Sequence, residues 1–292
     1  MNFIDALQHN TALFTLLCTL LGLFVGSFLN VVAYRLPKMM EADWKQQCSE
    51  LFGTDEQATQ DAAPFTLSRP ASSCPHCGHK IRAWENIPII SWLLLKGRCS
   101  DCKQPISMRY PIVELATGLL SLAVALHFGF SWQAGAALVL TWSLIALTLI
   151  DFDHQLLPDS IVLPMLWLGL LLSLFSIFTD SHSAIIGAAA GYLSLWSVFQ
   201  LFKLLTGKEG MGYGDFKLLG LFGAWFGWQS LIQIILLSSV VGAVVGITLI
   251  LVRGRDRNIP IPFGPYLAAA GWISMIWGEQ INAAYLQWAG LA

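Results

Sequence analysis

The chain has 292 residues, 55% of them hydrophobic and only 12% charged, about half the charged share of an ordinary soluble domain. That composition excludes a soluble globular protein and points to a chain built for lipid. The formal net charge of −2 gives no sign of nucleic-acid binding.

The first ten residues, Met1 to Asn10, have neither a basic stretch nor a small-residue cleavage site, so the apolar run from Ala12 to Ala33 is expected to be a retained anchor rather than a removed signal. Residues 36–110 follow as the only sizeable polar segment. In its first part Trp44, Cys48, Leu51 and Phe52 recur at helical spacing, which predicts a short amphipathic helix lying on the membrane or packing on the second part. A solvated helix face fits the same spacing.

The second part carries Cys74-Pro-His-Cys77 and Cys99-Ser-Asp-Cys102. Two tight turns that each present a pair of thiolates can close a tetrahedral shell around zinc, and a complete four-thiolate shell leaves no open position for water, so the role is structural. Disulfides are the alternative. They are disfavoured if the segment lies in the reducing cytosol. His76 and His79 are expected to be loop residues, and Cys18 and Cys48 have no partner at suitable spacing.

Apolar runs then follow from Ile112 to Phe128, Trp132 to Ile150, Ile161 to Phe178, Ala184 to Phe202, Phe216 to Trp228, Leu231 to Val252 and Phe263 to Ile281. Most reach the roughly 20 residues that cross a bilayer as a helix. The run from Phe216 to Trp228 covers only roughly 20 Å at 1.5 Å per residue. Counting it gives an all-α polytopic membrane protein of about eight transmembrane helices, with a zinc-stapled cytoplasmic insertion between helices 1 and 2. The basic residues support that count. All 16 Lys and Arg, in the 35–109 segment, at 203, 208 and 217, and at 253, 255 and 257, fall on one side if both termini are outside, as cytoplasmic retention of positive charge requires. The expected domains are 1–35, the first transmembrane helix; 36–110, the zinc-binding insertion; and 111–292, the remaining transmembrane part.

Two acidic elements interrupt this pattern. Ile150-Asp151-Phe152-Asp153-His154-Gln155-Leu156-Leu157-Pro158-Asp159 carries three carboxylates and no Lys or Arg on a face where a solvated loop should be basic. Asp159, after Pro158, reads as the N-cap of the next helix, whereas Asp151 sits at the end of an apolar run, where an ionisable group is costly and marks function. Further on, Gly210-Met-Gly-Tyr-Gly-Asp215-Phe-Lys217 sets a carboxylate at the start of a helix, behind glycines that permit unusual backbone geometry and close approach. A helix N-terminus favours a carboxylate there in any case. Two carboxylates brought together cannot both ionise at short range; they share a proton, so that one serves as base on a water while the other acts as acid. That is aspartic-protease chemistry, and no G-x-S-x-G or H-E-x-x-H motif competes with it.

Taken together, Gly212-Tyr-Gly-Asp215, the Ile150–Asp159 loop, the two C-x-x-C knuckles, Gly26-Ser-Phe-Leu-Asn30, Arg35-Leu-Pro37, Glu85-Asn-Ile-Pro88 and Arg109-Tyr-Pro-Ile-Val-Glu114 resemble the bacterial prepilin leader peptidase/N-methyltransferase family. The resemblance covers most of the chain from Gly22 to Tyr266. It implies a bifunctional enzyme of the inner membrane with periplasmic termini and a cytoplasmic active site. Such an enzyme cuts the basic leader of type IV prepilins and type II secretion pseudopilins after a glycine, then methylates the new N-terminal amine with S-adenosylmethionine. Matched by motif, Asp151 and Asp215 are the catalytic pair and Asp153 and Asp159 support it. The acidic loop is also expected to attract the basic leader, so neutralising Asp153 should weaken processing in a salt-dependent way.

No dinucleotide-type glycine fingerprint is present. Asn30, Arg35, Glu85, Asn86, Arg109 and Glu114 are the candidates for holding the methyl donor, and Lys96-Gly97-Arg98 is a further candidate loop; each also has a plain structural role open to it. Besides the pilin substrates, membrane lipid is the expected partner. A transporter with the acids along an ion path, a non-enzymatic assembly platform, and a G-x-G-D protease without methylation are the alternatives. The transporter is disfavoured because the acids cluster at one interface rather than at helix centres.

Overall fold

The computed structural model describes residues 3–53, 65–253, 261–288 and 290. Among them secondary structure is helical, and two isolated bridges, Ser73 with Lys80 and Arg98 with Pro105, stand in place of any strand. The chain divides into two compact units, Met1–Phe130 and Ser131–Ala292. Of the basic residues counted above, Arg255 and Arg257 lie outside the described residues.

The first unit contains α1 (Phe3–His9), α2 (Thr11–Phe52), a 3-10 turn (Ala83–Asn86), α3 (Ile90–Leu94) and α4 (Arg109–Phe128). Helix α2 starts at Asn10, whose Oδ1 accepts the Leu13 N–H at 3.0 Å and so satisfies one of the free donors of the first turn. It then runs unbroken for 42 residues, about 63 Å at 1.5 Å per residue and twice the thickness of a hydrocarbon core. The separate amphipathic helix expected near residue 44 is thus the far end of α2, and Pro37 is taken up inside it. Leu51 and Phe52 are 82% and 80% exposed, so that stripe does not pack on the rest of the insertion among the described residues. Helix α4 lies against α2 at backbone distance: a Cβ on Gly26 would stand 2.8 Å from the Glu114 Cα. The Thr117 and Ser121 hydroxyls donate to the Val113 and Thr117 carbonyls, each at 2.7 Å. Small residues at the seam with locally satisfied hydroxyls are the usual way helices meet where water is absent.

The second unit contains α5 (Trp132–His154), α6 (Asp159–Ser173), α7 (Ser181–Thr206), α8 (Tyr213–Phe226), α9 (Gln229–Arg253) and α10 (Gly264–Trp288). Its centre is α8, the shortest of them. Phe216, Leu218, Leu219, Leu221, Phe222, Ala224 and Trp225 are all buried, and a helix that is apolar on every side belongs inside a bundle. Helices α6, α7, α9 and α10 all pack on it. The Trp225 Nε1–H donates to the Met165 carbonyl of α6 at 2.7 Å, and the Trp272 Nε1–H of α10 donates to Thr141 Oγ1 of α5 at 3.0 Å. On the α7 side the approach is backbone to backbone, since a Cβ on Gly191 would meet the Leu219 carbonyl oxygen at 2.6 Å. Gly191→Val is therefore expected to push α7 off α8 and cost about 1–3 kcal/mol, read as a lowered Tm in detergent; an unchanged Tm would mean the two helices are not held at this distance.

Among the described residues five helices are long and apolar enough to cross a membrane: α2, α4, α5, α7 and the Gln229–Thr248 part of α9. Three further segments entered the expected count of eight. They form α6, an apolar helix of 15 residues; α8, with 14; and α10, whose apolar residues are diluted by Gly278, Glu279 and Gln280 and whose helical geometry breaks at Trp277.

Candidate active site and metal centre

In the second unit, Asp151 occupies the last turn of α5. The chain leaves that turn through Gln155, at φ 52°, whose N–H donates to the Asp151 carbonyl at 2.9 Å. Asp215 is the third residue of α8, one turn in from Gly212, and its N–H donates to the Gly212 carbonyl at 3.2 Å. Both side chains are buried, 5% and 7% exposed, and they are close enough to interact electrostatically. Asp151 Oδ2 is enclosed against Gly264 and makes no close hydrogen bond among the described residues. Buried polar atoms left in that condition are few in folded proteins and mark strain or chemistry.

The two helix ends are held by small, close contacts. A Cβ on Gly214 would stand 2.7 Å from the Leu157 Cβ, and one on Gly264 would stand 2.6 Å from Asp151 Oδ2 and 3.1 Å from Leu157 Cδ2. Leu157 thus wedges between the starts of α8 and α10, beside the Asp151 carboxylate. The expected role of the glycines is met through approach rather than unusual torsions: Gly210, Gly212 and Gly214 all have negative φ, Gly210 lies against the Phe202 ring and Gly214 against Leu157.

Asp159 is the first residue of α6 rather than its N-cap, a position Pro158 takes with no side-chain bond. Its carboxylate is used elsewhere: both oxygens lie 2.7 Å from Lys217 Nζ. That pair ties the 155–158 loop to α8 and occupies the Lys that follows Asp215 by two positions. Asp153 is exposed.

In the first unit, Cys74, Cys77, Cys99 and Cys102 place their four sulfurs within 4.8 Å of one another. Cys74 to Cys102 is 3.8 Å and Cys77 to Cys99 is 4.0 Å. A tetrahedral shell with metal–sulfur bonds of about 2.3 Å spaces its sulfurs about 3.8 Å apart, whereas a disulfide needs about 2.05 Å; the four cysteines are free thiols, and the cluster fits a metal ion. The two knuckles repeat each other. The Cys74 N–H donates to the His79 carbonyl at 2.9 Å and the Cys99 N–H to the Gln104 carbonyl at 2.9 Å, while Gly78 and Lys103 take positive φ in the same place of each turn. His79 is a loop residue, with Nε2 3.2 Å from Glu85 Oε2 and 3.2 Å from Ser100 Oγ, so it joins the first knuckle to the second.

The candidates for a methyl-donor site all lie in this unit, and most hold backbone. Arg35, 7% exposed, donates to the carbonyls of Thr66 at 3.0 Å, Leu67 at 3.4 Å and Pro70 at 2.7 Å. Asn30 Nδ2 donates to the Gly26 and Tyr110 carbonyls at 3.2 and 3.4 Å. Glu114 Oε2 accepts the Ile89 N–H at 2.7 Å, steadying a residue at φ 62°. Glu85 accepts the Arg82 N–H at 2.8 Å; that bond, helped by the Ser100 hydroxyl and by His79, holds its carboxyl down to about 2. Asn86 and Arg109 are exposed. Gly97, at φ 66°, sits under the Trp92 ring, 2.7 Å from where its Cβ would be; only glycine takes that torsion and that proximity together.

Leu157 and Gly264 went unnoticed in the sequence. The signal that would have found Gly264 is the Pro262-Phe-Gly-Pro265 stretch ahead of an apolar run, since such punctuation often marks a close backbone approach.

These elements define a polytopic helical protein with a buried carboxylate pair in one unit and a four-thiolate centre in the other. Residues 20–128 match the bacterial peptidase A24 N-terminal domain, and residues 138–247 match the type IV leader peptidase family. The chain is 60% identical to the prepilin leader peptidase/N-methyltransferase of Stutzerimonas stutzeri over 99% of both chains, 59% identical to that of Pseudomonas aeruginosa over 99% of both, and 49% identical to that of Xanthomonas campestris pv. campestris over 93% of this chain and 94% of the relative. It belongs to the prepilin leader peptidase/N-methyltransferase family and is an enzyme of that family. No solved structure matches it.

Proposed function

We propose that the protein cleaves the leader of type IV prepilins, and of type II secretion pseudopilins, with Asp151 and Asp215, and then methylates the new N-terminal amine. The observation that supports the reading is the burial of two interacting carboxylates at helix ends, with Asp151 Oδ2 making no close hydrogen bond among the described residues. Within the pair the ionised carboxyl takes a proton from water as the water oxygen adds to the scissile carbonyl carbon. The protonated carboxyl supports the carbonyl oxygen and then delivers a proton to the amide nitrogen as the C–N bond breaks. The Lys217 pairing with Asp159 keeps a cation away from this exchange.

The cysteine centre holds zinc as a structural ion: four cysteines fill its shell, and their spacing suits it. S-adenosylmethionine would supply an electrophilic methyl group to the freed amine. Residues at the junction of α2, α4 and the 82–89 turn, namely Asn30, Glu85, Asn86, Arg109 and Glu114, together with Arg35, would shape its site by holding local backbone. Eight crossings of the inner membrane, with α6, α8 and α10 added to the five long spans, put both termini in the periplasm and the aspartates at the cytoplasmic face, where the basic residues gather.

The test is to incubate purified enzyme in liposomes with a prepilin and weigh the mature N-terminus by mass spectrometry. The expected product ends at the leader junction and is heavier by one methyl only when S-adenosylmethionine is added. An uncut prepilin would remove the peptidase reading, and a cut but unmethylated product would reduce the enzyme to a protease.

A further inference from the structure

A cavity of about 290 Å³ lies in the second unit between α9 and the start of α10, lined by Ser239, Gly242, Ala243, Ile261, Pro262, Phe263 and Tyr266. Its α9 wall is made of small residues on one helical face, at positions i, i+3 and i+4. On that wall a Cβ at Gly242 would come within 3.3 Å of the Tyr266 ring. Next to these wall residues on α9, Val240, Val241 and Val244 are exposed on a helix apolar enough to span a membrane. The hollow is thus open to apolar ligands, with room for large side chains.

Its position gives it an occupant. Phe263 lines the cavity, and the next residue, Gly264, is the one whose backbone abuts the Asp151 carboxylate. A single Cα–Cα step of about 3.8 Å separates this wall residue from Gly264, which touches Asp151. We infer that this cavity is the subsite for the first apolar side chains after the scissile bond, at the start of the substrate's own membrane-spanning helix. The inference rests on the peptidase reading of Asp151 and Asp215. Small residues on α9 keep the subsite open, Tyr266 and Phe263 form its aromatic floor, and the Gly264 backbone passes the chain to the carboxylates.

Docking can be read apart from cleavage. Full-length protein carrying Asp151→Asn and Asp215→Asn, in liposomes, is irradiated with a prepilin bearing a photoreactive side chain at the first residues after the junction. Adducts are expected on peptides containing 239–243 or 261–266, and they should disappear in Gly242→Leu. With the aspartates intact, Gly242→Leu and the milder Ala243→Leu are expected to raise KM for prepilin about tenfold with little change in kcat, as loss of binding common to ground and transition states requires. Adducts confined to other segments, or an unchanged KM in both variants, would overturn the subsite. So would labelling of the same peptides by a photoreactive phospholipid acyl chain that excess prepilin does not displace. Failure of the peptidase reading has a different signature, cleavage that survives the aspartate substitutions, and it leaves the adduct map unaffected.

Discussion

Replacing Asp151 by Asn is expected to lower prepilin cleavage at least about a thousandfold, and Asp215→Asn should do the same, because each removes one partner of a proton exchange that needs both. The double variant should be no worse than either single one, since groups that act as a unit lose their effect together. Asn keeps the size and the helical position of each side chain, so folding should survive. Helicity and Tm in detergent should match wild type, or rise slightly, because a buried carboxylate is costly to hold. A variant that keeps the fold and still cleaves would take that aspartate out of the mechanism. One that loses cleavage together with its Tm would show only that the helix ends at Asp151 and Asp215 need their carboxyls for packing.

The second large effect concerns the four-cysteine centre. Metal analysis of wild type should return one zinc per chain, and Cys74→Ser combined with Cys99→Ser should return none. Few large side chains are buried in this stretch: among residues 65–107 the buried positions are Pro88, Ser91, Gly97 and Cys99, so a bound ion would supply what a core otherwise does. The contribution of such a centre is on the order of 10 kcal/mol. Its loss should open residues 65–107 to limited proteolysis, while the second unit, which has its own core around α8, stays resistant. Methylation should be lost and leader cleavage retained. If cleavage fell with methylation, the metal centre would be serving the whole enzyme. If the double variant kept its zinc, the cysteines would not be the ligands.

How much of this was legible beforehand depended on the range of the interaction involved. The knuckles could be read because each is a turn of a few residues, and Gly78 and Lys103 now show the same positive torsion at the same step of each. The acidic residues stood out because an apolar run ends on Asp151 and another begins at Asp215. The helical character near Trp44 was visible too, but not that α2 continues into it: whether a helix ends depends on what lies against its backbone, and Pro37 by itself did not end it. Asp159 looked like a cap because it follows a proline, yet it pairs with Lys217, which no local rule could foretell.

By itself, then, the sequence determined an all-helical chain for lipid, four cysteines at a spacing that suits a metal ion, and two carboxylates at the ends of apolar runs. All of these follow from neighbours within a turn or two, where periodicity and spacing settle the outcome. Only the tertiary structure decided that Asp151 and Asp215 are both buried within reach of each other's charge, that Leu157 and the Gly264 backbone close around Asp151, and that the short α8 is the centre of its unit. Those outcomes depend on which helix faces can approach closely enough to exclude everything between them. Gly191 against Leu219, Gly214 against Leu157 and Gly264 against Asp151 set that distance, and a glycine's worth as a contact surface exists only once its partner has arrived.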